Sequence, residues 1–102
     1  MRRGEVWWGL VKPKTRPFVI VSRESHIEKR RIILAVPVTA RMRGLESQVP
    51  LGPEDGLAKP CVADAGSVVS IQKSHLIRRI AALSVSKRDE LDAALRFSLG
   101  LD

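Results

Sequence analysis

"RPFVIVSRESHIEKRRIILAVPVT", residues 16 to 39, contains two apolar runs separated by a polar one. PFVIVS (17–22) and RIILAVPVT (31–39) are rich in β-branched residues and apolar on both faces of an extended chain, the pattern of buried strands. Pro17 suits the opening of such a strand because it has no ladder donor to lose. RESHIEKR (23–30) is short and polar, and consecutive strands usually pair, so the two runs are predicted to form an antiparallel hairpin. That folding brings the start of the first strand beside the end of the second, and sets Arg16 near Thr39.

Outward from the hairpin, Lys12 and Lys14 lead into the first strand while Arg41 and Arg43 leave the second. Five cations and one hydroxyl are thus expected at the same end. Solvated loops are the default account of exposed charge. Convergence of two separate runs on a rigid strand edge favours a phosphate site, because a guanidinium held just before a proline-started strand is preorganised for bidentate donation. His26 falls in the turn at the opposite end, and at ~3.3 Å per strand residue it should lie roughly 20 Å away.

The remaining chain reads as further short strands. EVWWGL (5–10) alternates Val6, Trp8 and Leu10 on one face, and SQVPL (47–51), CVADA (61–65), VVSIQ (68–72) and LIRRIAAL (76–83) complete a set of seven. That pattern predicts a small barrel or sandwich. GPEDGLAKP (52–60) reads as a loop. One helix is predicted at the C-terminus: Ser86 and Asp89 have the spacing of a capping box, Leu91, Ala94, Leu95 and Leu99 recur at helical spacing, and Gly100 supplies the stop. Its apolar stripe is expected to cover one mouth of the barrel. With 102 residues, 44% of them hydrophobic, the chain suits a single domain, 1–102, with one core.

The net charge of +7 points to a polyanionic partner, nucleic acid or an acidic protein. No run approaches the ~20 apolar residues of a membrane span, and MRRGEVWW lacks the apolar region of a signal peptide, so a cytoplasmic protein is expected. Cys61 is the only cysteine. It lies between Pro60 and Val62 and reads as a core thiol with no cation adjacent in sequence to activate it.

Metal-dependent cleavage needs carboxylates or histidines gathered at one site. Here Glu5, Glu24, Glu28, Glu46, Glu54, Asp55 and Asp64 are scattered, with no metal-ligand spacing, glycine-rich phosphate loop or nucleophile elbow. Phosphodiester chemistry without metal most simply takes its nucleophile from RNA itself, the 2′-hydroxyl, leaving the protein to orient the strand and stabilise charge. Arg16 and Thr39 suit that task. No separate general base is identified from spacing, and His75 reads first as a surface histidine. Trp7, Trp8, Phe18 and Phe97 are the only aromatic residues, too few for a stacking platform. Alternation sends the two tryptophans to opposite faces, with Trp8 toward the core and Trp7 free for a subunit contact or a base.

RGEVWWGL (3–10), TRPFVIVS (15–22), ILAVPVTARMRG (33–44), SQVPL (47–51) and LDAALRFSLGL (91–101) together resemble the MazF/PemK family of toxin endoribonucleases, in order along nearly the whole chain. The resemblance implies an SH3-like barrel with a C-terminal helix, a homodimer, and cleavage of single-stranded RNA at short preferred sequences with no cofactor. It also implies that Arg16 of the R-P motif and Thr39 of the P-x-T motif are catalytic, and that RNA is bound through the loop between the first two strands, Gly9 to Thr15, which includes Lys12, Lys14 and Thr15; the convergent charges themselves suggest that Lys12, Lys14, Arg41 and Arg43 steer the RNA backbone. The implied partner is an antitoxin with a flexible acidic tail. Gly66 and Ser67 depart from the Asp followed by Gln or Asn of many members, with Asp64 two positions earlier. A CcdB-like gyrase inhibitor of the same barrel shape and an inactive RNA-binding relative are the alternatives.

Overall fold

A computed structural model describes residues 1–101. The predicted hairpin is its centre. Strand β1 (Glu5–Val11) runs antiparallel to β2 (Lys14–Ile20), and β2 to β3 (Ile32–Thr39). Strand β2 starts three residues before Pro17, which pairs with Trp8 on β1. Pairing with β3 begins only at Phe18, so at Pro17 the strand has one bonded neighbour and tolerates a residue without an N–H. Gly9 to Thr15 is therefore not a loop. It is the ends of two strands paired as far as Val11 and Lys14, with only Lys12 and Pro13 turning between them.

The connection between β2 and β3 is not a simple turn either. Residues Glu24–Lys29 form a short helix, α1, whose one buried residue is Ile27. Ile27 docks into a core cluster with Phe18, Ile20, Ile33 and Ile71, and a plain turn would have left that side chain in water. Lys73 Nζ donates to the Ile27 carbonyl at 2.5 Å and ties the helix down.

Strands β4 (Gln48–Leu51), β5 (Cys61–Asp64), β6 (Val69–Gln72) and β7 (Leu76–Ala82) complete the predicted seven. The order is β4-β5-β3-β2-β1-β7, and β3 divides its second edge between β6, along Ile32–Ala35, and β5, at Val38 and Thr39. The sheet does not close, so the architecture is barrel-like and open.

Alternate residues of the central strands feed two cores. Phe18, Ile20, Ile33 and Ala35 enter one; Val19, Val36 and Val38 enter the other. This is why both runs are apolar on both faces. The exception is the start of β3, where Ile32 and Leu34 are half exposed at 48% and 47%. Gly9 is buried where a Cβ would lie 2.5 Å from the Phe18 ring, so this close approach of strand and ring needs glycine.

The C-terminal helix α2 (Val85–Leu99) packs over β4 and the turn Ala65–Ser67, burying Leu91 and Ala94 in the core that holds Val19, Val36 and Val38. Leu99, counted in the apolar stripe by its spacing, is exposed. The N-cap is Ser84, whose hydroxyl accepts from Lys87 N–H at 3.2 Å, so Ser86 lies inside the first turn and does not cap. Gly100, at φ 69°, ends the helix in the left-handed conformation. Residues 52–60 contain a 3-10 turn, Pro53–Asp55, and bury Leu57.

Candidate active site

Arg16 sits on β2, half-buried, one residue before Pro17. Thr39 ends β3. The β2–β3 register pairs Phe18 with Pro37 and Val19 with Val36, and continued two residues outward it sets Arg16 across from Thr39. The two side chains line the same cavities.

One, of about 440 Å³, is walled by Trp8, Pro17, Leu57 and Cys61 beside Arg16 and Thr39. A second, of about 280 Å³, is polar and brings Arg41, Arg43, Gln48 and Asp64 to the same pair. A third, of about 510 Å³, joins Arg16 to Lys12 and Lys14 against Phe18 and Val69. Arg16 thus borders all three, with the lysines on one side and the other two arginines on another. Thr15 and Lys14 also edge the first cavity. His26 on α1 and His75 in the turn Lys73–His75 are exposed and border none of the three.

The segment after β3 has no regular structure and is held by side chains. Thr39 Oγ1 accepts from Arg41 N–H at 3.2 Å. Gln48 clamps the loop from both sides: its Oε1 accepts from Arg43 N–H at 2.8 Å, and its Nε2 donates to the Arg41 carbonyl at 3.2 Å. Asp64 closes the far wall, with Oδ1 accepting from Gly66 N–H at 3.2 Å and Oδ2 from the Ser67 hydroxyl at 3.1 Å. The ion pairs among the described residues are Met1–Glu5, Arg3–Asp92, Arg79–Glu5 and Lys87–Glu90, so none of the five clustered cations has an ion-pair partner among them. A rim of unpaired guanidinium and ammonium groups beside a hydroxyl is suited to an oxyanion of phosphate.

Three contributors were not singled out from sequence. Gln48 opens a short strand and carries no local signal of its role as a clamp. Asp64 reaches the site only because β5 pairs with the end of β3. Trp8, read as core, is half-buried and forms a cavity wall. Trp7 instead packs against the core that holds Phe18 and Ile20, with its indole N–H on Glu5 Oε1 at 3.0 Å. Cys61 is buried as expected; desolvation, aided by the charges of Asp55 and Glu54, pushes its thiol up against the opposing pull of Lys59, which keeps it neutral. Among the described residues no three His, Cys, Asp or Glu side chains gather to hold a metal, and no helix is long and apolar enough to cross a membrane.

Residues 2–99 match the model of a family described as PemK-like, MazF-like toxin of type II toxin–antitoxin system. A relative described as "Probable endoribonuclease MazF5", from Mycobacterium tuberculosis, is 32% identical over 95% of this chain and 91% of its own length. Among solved structures, "Mycobacterium tuberculosis toxin MazF-mt6" superposes with a TM-score of 0.89 at 28% identity, covering 96% of this chain and 98% of that one. An endoribonuclease from mycobacterial species, solved in complex with its cognate antitoxin, has a TM-score of 0.92 at 24% identity, covering 100% of this chain and 97% of that one, a likeness of fold.

Proposed function

The chain belongs to the PemK-like, MazF-like toxin family of type II toxin–antitoxin systems, and on that premise we propose that it is an endoribonuclease cleaving single-stranded RNA without a metal ion. The observation that carries the proposal is the half-buried Arg16 facing Thr39 on a rim shared by two cavities.

The reaction is an in-line displacement within the substrate. The 2′-oxygen gives its proton to water and bonds to the neighbouring phosphorus, the bond from phosphorus to the 5′-oxygen breaks, and that oxygen takes up a proton from Arg16, which water then returns to the guanidinium. The products are a 2′,3′-cyclic phosphate and a 5′-hydroxyl end. Arg16 donates to the non-bridging oxygens, where negative charge grows, and supplies the proton to the leaving oxygen. Because the Thr39 oxygen already accepts from Arg41 N–H, its own hydrogen is directed elsewhere and can reach the same phosphate. Lys12, Lys14, Thr15, Arg41 and Arg43 hold the flanking phosphates.

A cytoplasmic homodimer complements this reading, and so does an antitoxin whose flexible acidic tail lies along the basic rim until it is removed. Mixed-sequence RNA incubated with the purified protein in EDTA tests the reaction. Cleavage to cyclic phosphate ends is expected, with a loss of about 100-fold to 1,000-fold in Arg16→Ala. Intact RNA together with inhibited gyrase supercoiling would reject the ribonuclease in favour of a non-enzymatic toxin, and intact RNA that remains bound would indicate an inactive relative.

A further inference from the structure

The two cavities that share Arg16 and Thr39 differ in chemistry. The first has a largely apolar wall, whereas the second, of about 280 Å³, is lined by Asp64 together with Arg16, Arg41 and Arg43. Asp64 pairs with none of the three: no ion pair among the described residues includes it. Its partners are Gly66 N–H and the Ser67 hydroxyl, one on each oxygen, and a carboxylate oxygen accepts two bonds, so each retains a lone pair. Gln48 commits one lone pair and one N–H of its amide to the 41–43 backbone, which fixes it as a wall of the pocket with one donor and one acceptor to spare.

We propose that Asp64 makes this polar cavity a guanine-selective base pocket for one of the two nucleotides flanking the cleaved bond. The inference rests on the ribonuclease reading above. Its chemistry is one of complementarity: the pocket offers acceptors on Asp64 next to donors on Arg41 and Arg43. Guanine presents adjacent N1–H and 2-amino donors on one edge and O6 and N7 acceptors on another, and arginine is a frequent partner of those acceptors. Uracil has a single ring N–H donor, and adenine has one amino group with no ring N–H beside it. Unstacked bases of single-stranded RNA expose these edges for reading. The volume is close to the lower end, ~300 Å³, of small-ligand sites, room for one base.

Fluorescence anisotropy with the full-length protein and uncleavable 2′-O-methyl oligonucleotides tests this, using a uridine strand with one central guanosine, inosine or adenosine. Inosine keeps N1–H, O6 and N7 and lacks only the 2-amino group. Wild type should bind the guanosine strand about tenfold or more above the other two. Asp64→Asn should bring the three within about twofold, while binding the all-uridine strand at least as well as wild type because a negative charge has gone. Equal binding of guanosine and inosine by wild type would overturn the proposal, even if the variant failed to fold. So would a guanosine preference that survives in the folded variant. Because these strands cannot be cut, the result is independent of whether ordinary RNA is cleaved, and failure of the ribonuclease reading would appear only in the EDTA assay.

Discussion

Glu5 and Arg16 lie on adjacent strands and are treated oppositely by the fold. Burial, the largest single influence on Glu5, acts to raise its pKa. The indole N–H of Trp7, the backbone N–H of Arg2, the N-terminal amine and Arg79 together outweigh it and hold the carboxyl below the ordinary value of 4.5. A carboxylate with a lowered pKa in the folded state contributes stability that is present above the unfolded pKa and lost as pH falls through the folded one. Glu5→Gln should therefore destabilise most near neutral pH, and its deficit against wild type should shrink as pH drops below the ordinary carboxylate range. Urea unfolding near pH 7 and near pH 3 checks this, and a constant deficit would show that the carboxylate charge is not responsible. One charge is neutralised to hold β1; the other, on Arg16, stands without an ion-pair partner among the described residues.

At the scale of elements, α2 depends on a cap that composition alone does not identify. Ser84 and Ser86 both precede Asp89, and the S-x-x-D spacing favours Ser86. In the folded chain Leu83 N–H bonds to the Gly4 carbonyl at 3.0 Å, which anchors the end of β7, so the helix starts at the next turn of the backbone and Ser84 is the residue in position. Lys87 occupies the place where a capping box has its acid, leaving Ser84 to act alone while Lys87 Nζ reaches the Pro50 carbonyl at 2.6 Å. Ser84→Ala should cost about 1 kcal/mol and Ser86→Ala under about 0.5 kcal/mol, measured by denaturant midpoints; the reverse order would reassign the cap. The same contrast separates what was legible from what was not. Seven strands were readable because β-branched runs and their Gly and Pro boundaries are local signals. The meeting of Arg16 with Thr39 was readable because antiparallel pairing fixes it arithmetically. Helix α1 was missed because one buried residue, Ile27, decides it within an otherwise polar run. Asp64 and Gln48 were missed as site residues because β5 reaches the rim by pairing with β3 and β4 by pairing with β5, non-local contacts with no local pattern.

Across the whole molecule the excess of +7 has a direction. Lys12, Lys14, Arg16, Arg41 and Arg43 border cavities that share Arg16, and none is matched by an ion pair among the described residues. Like charges held so close repel one another and act against the compact state, a cost that a bound polyanion removes. If each of the five contacts one phosphate, counterion release from a single strand gives a slope of log affinity against log salt of about −0.7 for each, or about −3.5 per protomer. Titrating an unstructured RNA at several salt concentrations measures it. Lys12→Ala should reduce the steepness by about 0.7 and weaken binding alike for every sequence, whereas Asp64→Asn should flatten the preference for guanosine with little effect on the slope. A slope shallower than about −1 would mean that at most one of these cations meets a phosphate, and the rim would then be a solvated edge of the sheet.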